Sequence, residues 1–124
     1  MEYVSTQSAP NAIGPYSQAI KANGFLFTSG QIAINPKTNT VEAKNIKEQT
    51  IQVCENLKAV CEAAGTSIDK TVKTTCFLAD INDFAEFNEV YGKYFTGKPA
   101  RSCVAVKQLP KNVLCEVEVI AVVD

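Results

Sequence analysis

Asn45-Ile46-Lys47-Glu48-Gln49-Thr50-Ile51-Gln52-Val53-Cys54-Glu55-Asn56-Leu57-Lys58-Ala59-Val60-Cys61-Glu62-Ala63-Ala64-Gly65 sets its apolar and small residues at Ile46, Thr50, Val53, Cys54, Leu57, Val60, Cys61 and Ala64. Steps of three and four place these on one stripe of a helix, and such a stripe has to be covered by another layer. Asn45 and Glu48 form a capping box with Asn as the cap, while Gly65 suits the left-handed position after the last turn. Strand patterns lie on both sides of this segment, so the covering layer is a sheet.

On the N-terminal side, Ala22-Asn23-Gly24-Phe25 puts Asn-Gly between two apolar runs. A type I′ turn needs positive φ twice, which this pair supplies, so strands from about Ala19 to Ala22 and Phe25 to Ile32 are predicted to pair. Asn35-Pro36-Lys37-Thr38-Asn39 then reads as a loop. On the C-terminal side a strand is predicted over about Thr71 to Leu78. A second helix follows from about Asp83 to Phe95, with Phe84, Phe87, Tyr91, Tyr94 and Phe95 on its apolar side and Asn88 sharing that side. Two strands close the chain, about Ala100 to Val106 and Leu114 to Val122, joined around Leu109-Pro110-Lys111-Asn112.

The predicted order is ββαβαββ, an α+β fold in which right-handed crossovers pack both helices on one face of a mixed β-sheet. The other face would be bare, and Val117-Glu118-Val119-Ile120-Ala121-Val122-Val123 is too apolar to stay wet. Self-association over that face is expected. A chain of 124 residues fits a single domain spanning 1–124.

Net charge is −1, from twelve basic and thirteen acidic residues that are interspersed, which supports neither a nucleic-acid stripe nor a membrane-binding patch. Met1-Glu2-Tyr3-Val4-Ser5-Thr6-Gln7 lacks the charged and apolar blocks of an export signal, so a cytoplasmic address is expected. The five cysteines form no Cys-x-x-Cys pair and read as free thiols. Histidine is absent. That removes Ser-His and Cys-His nucleophiles and the commonest transition-metal ligand.

The residue that stands out is Arg101, in Pro99-Ala100-Arg101-Ser102-Cys103-Val104-Ala105-Val106, which otherwise reads as a buried strand. A guanidinium stays charged and needs an anion when it is buried. Alternation puts Arg101, Cys103 and Ala105 on one face, and Glu116 and Glu118 together on the next strand. If these strands form a hairpin, Arg101 and a glutamate come close. Two readings then stand level: a plain Arg-Glu ion pair, or a small-carboxylate pocket with Glu116 acting on water. The other candidates have everyday readings beside the functional one. Tyr16 after Gly14-Pro15 packs, Ser29-Gly30 is a β-bulge, Asn88 satisfies backbone groups, and Cys103 lines the core or at most a pocket.

Gly14-Pro15-Tyr16-Ser17-Gln18-Ala19, Thr28-Ser29-Gly30-Gln31-Ile32, Val72-Lys73-Thr74-Thr75, Phe87-Asn88-Glu89-Val90-Tyr91, Pro99-Ala100-Arg101-Ser102-Cys103-Val104 and Glu116-Val117-Glu118 occur in an order that resembles the RidA/YjgF family of reactive intermediate deaminases. The resemblance covers essentially the whole chain. It implies a chorismate-mutase-like fold assembled as a homotrimer with three clefts between subunits. It also implies hydrolysis of 2-imino or enamine acids, such as 2-iminobutyrate and 2-iminopropanoate, to 2-oxo acids and ammonia, with no cofactor and no metal. Pyridoxal-phosphate dehydratases acting on threonine or serine release such imines.

In that family the residue matching Arg101 binds the substrate carboxylate and the one matching Glu116 handles water. Tyr16, Ser29, Asn88 and Cys103 match pocket residues, and the backbone near Gly30 matches a polar contact. Thr96-Gly97-Lys98 departs from the pattern. It is shorter than in many relatives, and Lys98 stands where an aromatic is common. The family also suggests RNA cleavage or translational inhibition, and non-enzymatic 2-oxo-acid binding or chaperone-like holding, as competing roles.

Overall fold

The computed structural model describes residues 1–124. Its strands are β1 (Glu2–Val4), β2 (Ala19–Ala22), β3 (Phe25–Thr28), β4 (Thr71–Leu78), β5 (Ala100–Ala105) and β6 (Cys115–Val122), and its helices are α1 (Ile46–Ala63) and α2 (Phe84–Tyr94). Short 3-10 turns precede β4 and α2 and lie between β5 and β6. The strands form one sheet in the order β1-β2-β3-β6-β4-β5. No helix is long and apolar enough to cross a membrane.

Helix α1 obeys its sequence pattern. The Asn45 side chain accepts from the Glu48 N–H at 2.9 Å, Gly65 takes φ +85°, and the whole predicted stripe from Ile46 to Ala64 is buried. Val53, Leu57 and Val60 reach zero exposure, each worth about 1.5–3 kcal/mol of transfer free energy. They meet Leu26, Leu78, Val117 and Val119 of the sheet in one core. The β2–β3 turn is the predicted one, with Asn23 and Gly24 at φ 52° and 79°.

Three expectations needed correction. Strand β1 went unseen because three residues carry no periodicity, and it pairs antiparallel with β2. The strand opening at Phe25 stops at Thr28, and beyond Ser29-Gly30 only Gln31 bridges to Val117. Most important, β5 and β6 form no hairpin. The β4-α2-β5 crossover lays β5 parallel to β4, and β6 pairs antiparallel on β4's other side, between β4 and β3. Strand β5 is therefore an edge strand, half-buried or exposed along its whole length, rather than a buried one.

The second sheet face is uncovered, but the stretch cited for it divides: Val117, Val119 and Ala121 are buried on the helix-covered face, and β6 shows Glu116, Glu118, Ile120 and Val122 on the bare one. Tyr3, Ile20, Phe27 and Ile120 lie opposite one another across four strands, with Phe27 44% and Tyr3 69% exposed.

Candidate functional site

The register fixes where the candidates sit. Arg101 lies opposite Thr74 and Cys103 opposite Cys76; Thr74 and Cys76 are fully buried beneath the helices. Arg101 and Cys103 therefore belong to the helix-covered face. Glu116 lies opposite Phe77, and its neighbours Cys115 and Val117 take the buried positions, so Glu116 and Glu118 point from the opposite, uncovered face. Within one chain the sheet separates Arg101 from Glu116. The intrachain Arg-Glu pair is overturned, since none of the three ion pairs contains Arg101.

On the helix side, α2 and β5 build a cradle for Arg101. Its Nη1 donates to Asn88 Oδ1 at 2.6 Å, and its guanidinium carbon stands 4.8 Å from the Tyr91 ring centre and 5.4 Å from that of Phe84. Tyr91 is itself fixed, by a 2.7 Å bond between its hydroxyl and Thr74 Oγ1 and by stacking on Phe95 at 4.4 Å. Asn88 thus orients the arginine rather than satisfying backbone groups. One guanidinium N–H is used by Asn88, which leaves the rest of the fork for an anion. A cavity of about 330 Å³ opens beside it. Cys103 shares this side. Burial raises its thiol pKa, against a lowering by Arg101, so it is a poor nucleophile.

On the other side, Tyr16, Ser29, Gly30, Glu116 and Glu118 line one cleft of about 710 Å³, walled also by Ile13, Ile32 and Lys111. Ser29 Oγ donates to the Ser17 carbonyl at 2.5 Å, which ties the strand end to the Tyr16 turn. Tyr16 is 53% exposed, a tyrosine on the cleft rather than in the core. Gly30 is there for room. A Cβ at this position would run into Glu116 Oε2 and would lie 2.9 Å from Glu116 Cδ. The carboxylate of Glu116 is raised above the usual range by burial first and by the charge of Glu118 second. Arg101 plays no part in that shift, contrary to the expectation that it would hold Glu116 ionised.

Three buried amides that sequence reasoning passed over position the cleft. Gln18 accepts from the Thr6 N–H at 2.7 Å and donates to the Thr6 and Pro10 carbonyls at 3.0 and 2.6 Å, pinning the segment that forms one wall. Asn56 donates to the Ile32 and Ile34 carbonyls at 3.1 and 3.0 Å, and Gln49 accepts from the Leu114 N–H at 2.8 Å. Asn56 and Gln49 carried a signal, since both fall on the apolar stripe of α1, where a polar side chain has to bond backbone. No three His, Cys, Asp or Glu side chains are grouped to hold a metal ion.

A family model described as endoribonuclease L-PSP matches residues 6–123. A RutC family protein of Pyrococcus horikoshii is 56% identical, covering 97% of this chain and 96% of that one. Among solved structures, YyfA of the conserved Rid protein family from Yersinia pestis is 52% identical with a TM-score of 0.95, covering 98% of each chain. Escherichia coli TdcF, solved with bound serine, is 44% identical with a TM-score of 0.94, covering 100% of both chains.

Proposed function

The chain belongs to the endoribonuclease L-PSP family, the RidA/YjgF proteins, and we propose that it hydrolyses short 2-imino acids to 2-oxo acids and ammonia in clefts shared between copies of itself. The observation that carries this reading is an arginine cradled by Asn88 and Tyr91 with no acid of its own, matched by a half-buried glutamate in a separate cleft. A second copy can bring one chain's Arg101 half against another's Glu116 half, and the bare apolar face supplies surface for the contact. The expected assembly is a homotrimer. Serine bound to TdcF, a small amino acid on a close structural relative, fits a site of this size.

The chemistry asks little of the protein. A protonated imine is electrophilic at carbon, so a carboxylate clamp, a placed water and a weak base suffice. Arg101 takes the substrate carboxylate. Glu116 accepts a proton from water as the water oxygen bonds the imine carbon, returns that proton to nitrogen, and then takes the hydroxyl proton as the C–N bond breaks and the C=O bond forms. One water is consumed and one ammonia leaves. Tyr16, Ser29 and the backbone at Gly30 line the cleft around the reacting carbon, with Asn88 and Cys103 on the arginine side.

The test generates 2-iminobutanoate with an amino-acid oxidase and follows its decay. Wild type is expected to accelerate decay, and Arg101→Ala to lose about 10²-fold or more in kcat/KM, the scale set by losing orientation and a charged hydrogen bond together. An unaccelerated decay, or full activity in the variant, rejects the reading. Gly30→Ala is expected to stay folded and lose on the order of 10²-fold in kcat, because its methyl displaces the Glu116 carboxylate. Wild-type turnover in that variant would mean that Glu116 is not the base.

Glu116 must be ionised to act as a base, so kcat is expected to fall as pH drops through its titration, which burial and Glu118 raise in the single chain and Arg101 of a second copy would lower. Glu118→Gln removes the second cause of the raised value and is expected to move that limb to lower pH. The linkage has the opposite sign for stability. A folded pKa raised above the unfolded one gives stability that is present at low pH and lost as pH rises through the folded value. Glu116→Gln escapes that loss and is expected to raise the Tm of the single, unassembled chain at pH 7, while abolishing turnover in the assembly. If it still binds 2-oxo acids, catalysis and not mere sensing is the site's task.

The family description names RNA cleavage. This cleft supports it less well: Glu116 and Glu118 both face it, a net charge of −1 and the absence of histidine offer little to a polyanion or to in-line phosphoryl chemistry.

A further inference from the structure

The cavity beside Arg101 contains a second cation. Tyr91, Phe95, Thr96, Lys98 and Arg101 line it, and no acidic side chain does. Neither Lys98 nor Arg101 belongs to any of the three ion pairs. Asp69, the acid bonded to this turn, accepts a hydrogen bond from Thr96 Oγ1 at 3.2 Å.

The backbone of Lys98 adds an independent observation. It holds φ 52°, a left-handed conformation that favours glycine, directly before Pro99, which pushes its predecessor toward extended geometry. Gly97 does not take that conformation, and it has its own reason to lack a side chain, since a Cβ there would come within 3.1 Å of the Asp69 carbonyl. The turn thus places its disfavoured conformation at a lysine that lines the arginine cavity. Strain kept at a cavity-lining residue points to use of the side chain.

We propose that this cavity selects 2-imino acids carrying a second carboxylate in the side chain. Arg101 grips the α-carboxylate through its planar fork, and Lys98, a point charge on a flexible stem, meets the distal carboxylate at the cavity rim. The Tyr91 and Phe95 rings keep water from that side and strengthen both attractions. Hydrolysis leaves the distal carboxylate unchanged; it serves only in binding. This inference rests on the imine-hydrolysis reading above.

The experiment compares 2-iminosuccinate with 2-iminobutanoate, each made in situ by an amino-acid oxidase. Wild type is expected to show kcat/KM at least tenfold higher for the dianion. Lys98→Gln is expected to bring that ratio close to one, Lys98→Arg to retain most of it, and Lys98→Gly to raise Tm while losing the ratio. A wild-type ratio of one or less, or a ratio unchanged in Lys98→Gln, overturns the proposal. If wild type turns over neither imine, the hydrolysis reading falls instead. Calorimetry with oxaloacetate and 2-oxobutanoate then decides the Lys98 question: tenfold tighter dicarboxylate binding that Lys98→Gln removes upholds it, and equal binding overturns it.

Discussion

Arg101→Ala and Glu116→Gln chains, each strongly impaired alone, are expected to regain turnover when unfolded together and allowed to reassemble. The reason lies in the register of β4. Arg101 pairs with Thr74 and Glu116 with Phe77, which puts them about 10 Å apart along the strand at ~3.3 Å per residue. They also project from opposite faces, so no rotamer of either side chain can bring them to one substrate. In a closed ring each cleft would take its arginine from one copy and its glutamate from the next. Equal mixing then produces intact clefts in about a quarter of positions by chance. A control isolates the geometry. Gly30→Ala and Glu116→Gln damage the same half, so their mixture leaves every cleft defective and stays impaired. Recovery in the first mixture no greater than the sum of its parents would sink the shared-cleft reading.

The same register explains what could and could not be read in advance. Helix α1, the Asn-Gly turn and strand β4 follow from local spacing, because each depends on residues within a few positions of one another. Alternation also paired Arg101 with Cys103, and Glu116 with Glu118, correctly. Which face each pair occupies depends on where β6 inserts. Neighbours in sequence suggest a β5–β6 hairpin, whereas the β4-α2-β5 crossover fills one side of β4 and leaves β6 the other. That long-range choice leaves no periodic trace. Asn88 was visible as a polar residue on an apolar helix side, but its partner could not be named until β5 was placed parallel to β4. Gly30 shows the same limit. A glycine ending a strand suggested a bulge or a ligand's approach, and the close approach proves to be the chain's own Glu116.

Phe27→Glu is expected to yield a folded but monomeric and inactive protein, although Phe27 lies in neither cavity. Its side chain is on the face away from α1 and α2, 44% exposed in the single chain, so the chain's own core loses little; substitutions of that kind usually change stability by about 0.5 kcal/mol or less. Against a second copy the outcome differs. Phe27 continues the row of Tyr3, Ile20 and Ile120, and covering that row with another chain would bury the new carboxylate without a cation, at a cost of several kcal/mol per ion. Cyclic symmetry repeats the cost at every contact, so each interface of the ring is weakened alike. Sedimentation should show a monomer with an unchanged far-UV spectrum, and imine decay should fall to the uncatalysed rate despite intact Arg101 and Glu116. Phe27→Leu keeps the face apolar and should keep both assembly and activity. An active oligomer of the Glu variant would place the contact on another surface, and a monomer that still turns over would return the whole site to one chain, in conflict with the sheet that stands between its two charged groups.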